Sequence, residues 1–171
     1  MNGAPAPNPV SLVFDEARAE AYDSQFAAMQ PIKDAVHLLV QAHFADLPAD
    51  ARILMAGAGT GAEARYLAAR FPGWRFTLID PSAAMLAVAR RHAEAEGFAA
   101  RCSFVADYVS AAPLQTHDAA TSLLVSHFLT EAAARQAFFA DIAARLKPGG
   151  LLFNLDLCAD RSAPGFAGAL D

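Results

Sequence analysis

From residue 52 onward, short apolar runs alternate with longer stretches in which alanine and charged residues recur at helical spacing. Five runs read as buried strands, at 52–56, 75–79, 102–106, 119–124 and 151–155. Helical stretches fall between them at about 61–70, 82–96 and 131–146. Ser82 is placed to cap the second of these helices and Gly97 to end it. The segment "KPGG", residues 147–150, is expected to end the last helix sharply before the final strand. Upstream, residues 15–29 have helical composition, with Phe26 and Met29 at helical spacing. Pro31 suits the first turn of a second helix through about Phe44, and residues 46–51 form a turn. The start, "MNGAPAPNPVS", is a proline-rich lead-in. Strands alternating with helices imply right-handed βαβ crossovers. The fold class is therefore α/β: a Rossmann-like, doubly wound, mostly parallel sheet with helices on both faces.

Composition narrows the use of such a fold. The 171 residues are one domain's worth, and 55% of them are apolar, enough for a real core. Net charge is −5, and no segment interleaves Lys or Arg with aromatics. The adjacent arginines of "ARRHAE" read as a solvated helix face. Nucleic acid is thus disfavoured as a partner, and a small-molecule ligand is favoured. No apolar run approaches the ~20 residues of a membrane span, and the start lacks a basic, apolar export signal. Cys102 and Cys158 are far apart and lack metal-ligand spacing. They read as reduced thiols, with a cytoplasmic location and no metal.

The chemistry gathers after the strands, where ligands bind in doubly wound sheets. "GAGTG" follows the first strand, "DPS" the second, "DY" the third and "VSHF" the fourth. The glycine turn alone fits two patterns. Gly57, Gly59 and Gly61 suit one nucleotide site, whereas Gly57, Gly59 and Ala62 give the "GxGxxA" of a dinucleotide fold. A nicotinamide enzyme, however, normally needs a second mononucleotide half and a substrate domain, for which this chain ends too early.

Five segments, "ILMAGAGTG", "FTLIDPSAAML", "CSFVADY", "HDAATSLLVSHFL" and "RLKPGGLLFNLDL", together resemble the class I S-adenosylmethionine-dependent methyltransferases over roughly residues 14–157. The resemblance implies one domain over 1–171, with a lead-in and lid helices in 1–46 and the cofactor-binding core in 52–157. It implies S-adenosylmethionine as cofactor and S-adenosylhomocysteine as product. Gly57, Ala58 and Gly59 would present backbone to the methionine portion, and Gly61 would belong to the same cofactor-binding turn. Asp80, followed by Pro81, would accept both ribose hydroxyls, a bidentate use of one carboxylate. Asp107 would accept from the adenine amino group, with the Tyr108 amide facing the ring and Met85 packing on it. Leu123 would meet the methionine part through its backbone, and Tyr22, in a helix similar to the family's lid, would reach its carboxylate. One position departs from the pattern. The family usually has an acid two positions before the first glycine, where it helps hold the cofactor's ammonium group. Here that residue is Met55. A thioether does not offset a positive charge, so other groups must do so or affinity suffers.

Methyl transfer is an in-line displacement at a carbon already activated by the sulfonium, so positioning counts for more than base strength. His127 is the candidate acceptor-facing base, being the one His, Cys or carboxylate near the end of the fourth strand. His37, His43 and His92, and His117 in a turn, read as structural. Asp118 and Asp156 read as solvated or capping. Relatives in the family usually finish with a further helix and an antiparallel strand pair. Here "CADRSAPGFAGALD" is too short for them, so the fifth strand is expected to be an apolar edge, open to a homodimer. The acceptor is expected to be a small molecule. Two other readings stay open: a weak or inactive methyltransferase-like binding module, and a relative of the tRNA-uridine carboxymethyl-transfer branch, which "FDEARAEAYDSQF" partly resembles.

Overall fold

The computed structural model describes residues 15–156. Strands β1 (Arg52–Ala56), β2 (Arg75–Ile79), β3 (Cys102–Val105), β4 (His117–Leu123) and β5 (Leu146–Leu155) form one sheet. Its order is β3-β2-β1-β4-β5, and every pairing is parallel. Strand order reverses between β1 and β4, which opens a crevice at their carboxyl ends. The helices are α1 (Glu16–Gln25), α2 (Gln30–His43), α3 (Ala62–Arg70), α4 (Ala83–Ala95) and α5 (Ala132–Ala143). None of the described helices is long and apolar enough to cross a membrane.

Side-chain alternation in β1 sorts the layers. Ile53 and Met55 join a core with Val40 of α2, Phe44 just after it, Leu67 of α3 and Leu86 of α4. Leu54 and Ala56 face the other way and pack with Ile142 of α5. Both faces of the sheet are therefore covered, as the near-continuous apolar strands required. Each fully buried large aliphatic side chain contributes about 1.5–3 kcal/mol. Local signals start the helices where the sequence indicated. Asp15 accepts from the Arg18 amide at 2.9 Å to cap α1, and Ser82 Oγ accepts from the Met85 amide at 3.2 Å to cap α4. Pro31 lies in the first turn of α2, and Gly97, at φ 76°, follows α4.

Four expectations shift. The first helical stretch breaks after Gln25 into a short 3-10 turn at Ala27–Met29. The last helix ends at Ala143 rather than 146, and β5 starts at Leu146 instead of 151. Leu146 already pairs with His117, after which "KPGG" bulges out and the ladder resumes at Ala119 with Leu151. Asp118 holds this bulge, accepting from the Arg52 amide at 2.8 Å and pairing with Lys147. His117 is not in a turn but opens β4, buried, with Nδ1 3.0 Å from the Arg145 carbonyl and Nε2 2.9 Å from Thr77 Oγ1. β5 is one edge of the described sheet, and Cys158 lies outside the described residues.

Candidate active site

The crevice is built first by the glycine turn after β1. Gly57 has φ 80° and a Cβ there would sit 2.3 Å from Val125 Cγ2, so both conformation and space require glycine. Gly61, at φ 78°, brings α3 close enough to α4 that a Cβ would lie 3.0 Å from that of Ala89. The turn is tied to the end of β2: the Gly57 and Ala58 amides donate to the Ile79 carbonyl at 2.8 and 3.0 Å. Asp80 completes the tie. Its Oδ2 accepts from the Gly59 amide at 2.9 Å and its Oδ1 from the Ser82 amide at 2.8 Å. The Asp80 amide donates to Val105 at 3.2 Å, which draws in β3. Burial raises the Asp80 pKa, opposed by the two amide hydrogen bonds. Each carboxylate oxygen keeps a second lone pair for a ligand hydroxyl.

α1 lies over this half of the crevice. Thr60 Oγ1 donates to Asp23 at 2.9 Å, and Tyr22 packs with Ala19, Met85 and Val88. Burial raises the Tyr22 pKa, as do the charges of Asp23 and Asp80. The turn, Asp80, Met85 and Tyr22 are thus brought together. Pro81 follows Asp80 directly. Asp107 and Tyr108 are exposed beyond β3, and the Tyr108 amide is held by Asp107 Oδ1 at 2.7 Å. Likewise, the turn's amides at Gly57, Ala58 and Gly59 are engaged by protein acceptors. What the turn offers a ligand is close approach of backbone rather than free donors.

The other half comes from β4 and β5. Leu123 ends β4, and Leu124 adopts φ 58°, the single non-glycine positive φ among the described residues. Its amide donates to Leu155 at 2.7 Å, which pins the strained turn. The 3-10 turn Ser126–Phe128 then presents His127 to Asp156. Nδ1 and the backbone amide of His127 lie 3.1 and 3.3 Å from Asp156 Oδ1. Ser126 Oγ hydrogen-bonds Asp156 Oδ2, and Asn154 reaches the same oxygen at 3.2 Å. Burial would raise the Asp156 pKa, but the hydrogen bonds from Ser126, His127 and Asn154 hold it below the usual carboxylate range. Asp156 is therefore a partner of the histidine, not the solvated or capping residue expected. A carboxylate on Nδ1 selects the tautomer protonated there and leaves Nε2 as a proton acceptor.

A further acid lies where no acid was expected. Glu63, in the first turn of α3, reaches the sheet and accepts from Thr121 Oγ1 at 3.0 Å. Thr121 is the register partner of Met55 on the same face of the sheet. The residue's stem is half-buried but its carboxyl is enclosed, and Oε1 has no partner in the structure. Burial, offset only by the Thr121 hydroxyl, pushes its pKa up to about 7.

With this geometry in place, likeness to known proteins becomes informative. A family model described as "Methyltransferase domain" matches residues 53–150, more than half of the chain. The chain belongs to that family. The "GxGxxA" dinucleotide alternative falls with it, and the class I methyltransferase resemblance is borne out. Among curated relatives, the ubiquinone biosynthesis O-methyltransferase of Methylocella silvestris is 34% identical over 119 residues, 70% of this chain and 44% of that protein. The release factor glutamine methyltransferase of Chlorobaculum tepidum is 46% identical over 76 residues, 44% of this chain and 26% of that one. The chain thus spans less than half the length of either curated relative it matches. Among solved structures, the [4+2]-cyclase SpnF superposes with a TM-score of 0.75 at 23% identity, covering 91% of this chain and 62% of that chain. The DhpI–SAH complex gives 0.68 at 24% identity, covering 87% and 68%. At such identities the likeness is one of fold.

Four site features were not found by motif: Asp23, Glu63, the backbone of Leu124 and the Asp156 partnership. Glu63 had one legible signal, an acid in the first turn of a helix opened by a glycine turn, where the helix dipole favours negative charge. Nothing in sequence showed that it would turn inward.

Proposed function

We propose that the chain binds S-adenosylmethionine and transfers its methyl group to a small-molecule acceptor, leaving S-adenosylhomocysteine. The observation that carries this reading is Asp80, a buried carboxylate held by the Gly59 and Ser82 amides at the end of β2 beneath α1. A carboxylate fixed in that way has its remaining lone pairs aimed into the crevice, suited to a ribose diol. The residues fit the group. Only the Met85 methyl lies within ordinary contact of a Cβ built on Gly59, so the turn is open to an approaching ligand. Met85 is an apolar, polarisable surface for the adenine, with Asp107 and the Tyr108 amide at its polar edge. Pro81 shapes the turn, Leu123 flanks the methionine portion and Tyr22 reaches its carboxylate from α1.

When bound, the cofactor supplies a sulfonium-activated methyl group. The chain's own task is then to exclude water and align the acceptor. His127, oriented by Asp156, accepts a proton at Nε2 from an acceptor whose own acidity is too low. A second copy pairing along β5, one edge of the described sheet, and a cytoplasmic location belong to the same proposal. Light scattering showing a monomer at micromolar concentration would overturn the dimer.

Calorimetry tests the cofactor. S-adenosylhomocysteine should bind and NAD(H) should not; stabilisation by NAD(H) alone overturns the reading. A binding module without methyl transfer is the second reading, favoured by Met55. Stabilisation by neither ligand in a well-folded protein would support it.

A further inference from the structure

A carboxylate oxygen enclosed by protein with no partner costs on the order of 1–3 kcal/mol or more, so a native structure that keeps one has a use for it. Glu63 Oε1 is such an oxygen. Its sibling Oε2 is held by Thr121, so the carboxyl has a fixed direction and is not searching for solvent. The ion pairs among the described residues leave Glu63 out, so no lysine or arginine supplies the missing charge. Its place is specific. Glu63 reaches the sheet at Thr121, the register partner of Met55, which stands two residues before Gly57.

An enclosed anion of this kind calls for a small cation with N–H donors. The proposed cofactor carries one at its amino-acid end, the end that the glycine turn and Leu123 flank. We propose that Glu63 is the carboxylate that holds the ammonium group of the bound cofactor, reaching from α3 into the place that Met55 leaves without charge. The inference rests on the cofactor reading above. It adds that recognition of the amino-acid end is separable from recognition of the nucleoside, since Asp80 and Glu63 stand on different elements and share no hydrogen bond in the structure. It also makes binding proton-linked. A carboxyl poised near neutrality in the free protein must ionise fully when an ammonium group arrives, and its proton leaves to solvent.

Two probes separate the possibilities: S-adenosylhomocysteine, and 5′-methylthioadenosine, which is the same nucleoside thioether without the amino-acid end. In Glu63→Gln, S-adenosylhomocysteine should bind roughly tenfold or more weakly, while 5′-methylthioadenosine should bind as it does to the wild type. Equal weakening of both, or of neither, overturns the assignment. A second measurement needs no variant. Calorimetry at pH 7 in buffers of different ionisation enthalpy should show release of roughly half a proton with S-adenosylhomocysteine and none with 5′-methylthioadenosine. Identical proton release for the two overturns it as well. If the wild type binds neither probe, the cofactor reading itself has failed, and that outcome is distinct from the others.

Discussion

The two flanks of the crevice are built in opposite ways. On the β1–β2–β3 side, each functional group sits directly after its own strand and is locked by nearby backbone, as Asp80 is by Gly59 and Ser82. On the β4–β5 side, the groups depend on a distant partner: His127, after β4, is oriented by Asp156, after β5. The first flank is a preformed cradle of backbone braced by Asp80. The second is a side-chain cluster of Ser126, His127, Asn154 and Asp156, whose members hold one another. A fixed cofactor and a variable acceptor would call for this division, because backbone geometry tolerates little change while side chains vary freely on a constant scaffold.

The largest expected effect breaks the first flank alone. Asp80→Ala should weaken S-adenosylhomocysteine roughly 100-fold, since two hydrogen bonds to a charged acceptor are lost. His127→Ala should leave that affinity within about twofold. Calorimetry on the two variants checks both, and a comparable loss from His127→Ala would merge the two flanks into one.

The next test concerns Glu63 without ligand. Its folded pKa of about 7 lies above its ordinary value of 4.5, so the folded state keeps a proton that the unfolded state has lost. This contribution is fully present below about pH 4.5 and disappears as pH rises toward 7. Denaturant titrations across that window should show Glu63→Gln gaining on the wild type by up to roughly 3 kcal/mol as pH rises. A constant difference between the two would remove the buried acid from the account.

Asp156→Asn should cost about 1–3 kcal/mol at pH 7, because it strips the charged acceptor from Ser126 and His127. The native Asp156 pKa is lowered, so its contribution is present above the ordinary carboxylate value of 3.8 and lost as pH falls below it. The stability gap between wild type and variant should therefore close in acid, with cofactor binding little changed at neutral pH. The smallest effect is expected at the lid. Thr60→Val removes one hydrogen bond to Asp23, worth about 0.5–1.5 kcal/mol, and should raise exchange of the α1 amides more than those of β1.

The same asymmetry explains what could be read beforehand. The strand and helix alternation, the Ser82 cap and the Gly97 stop are local signals, and they appear at the expected places. Asp80 was legible because a strand end followed by "DPS" is a local event. The β5 start was misread because a proline and two glycines look like a stop, whereas Leu146 pairs with His117 before the bulge and Asp118 secures it from another strand.

What the sequence by itself determined is the α/β order and the covered sheet, set by periodicity and short-range spacing, while its motifs carried the resemblance to the family. Which acid meets which partner was decided only in three dimensions. Asp156 meets His127 because β4 and β5 are neighbours in register, and Glu63 meets Thr121 because α3 packs over β1 and β4. Burial and pairing of charge depend on atoms far apart along the chain, and no local pattern carries that information.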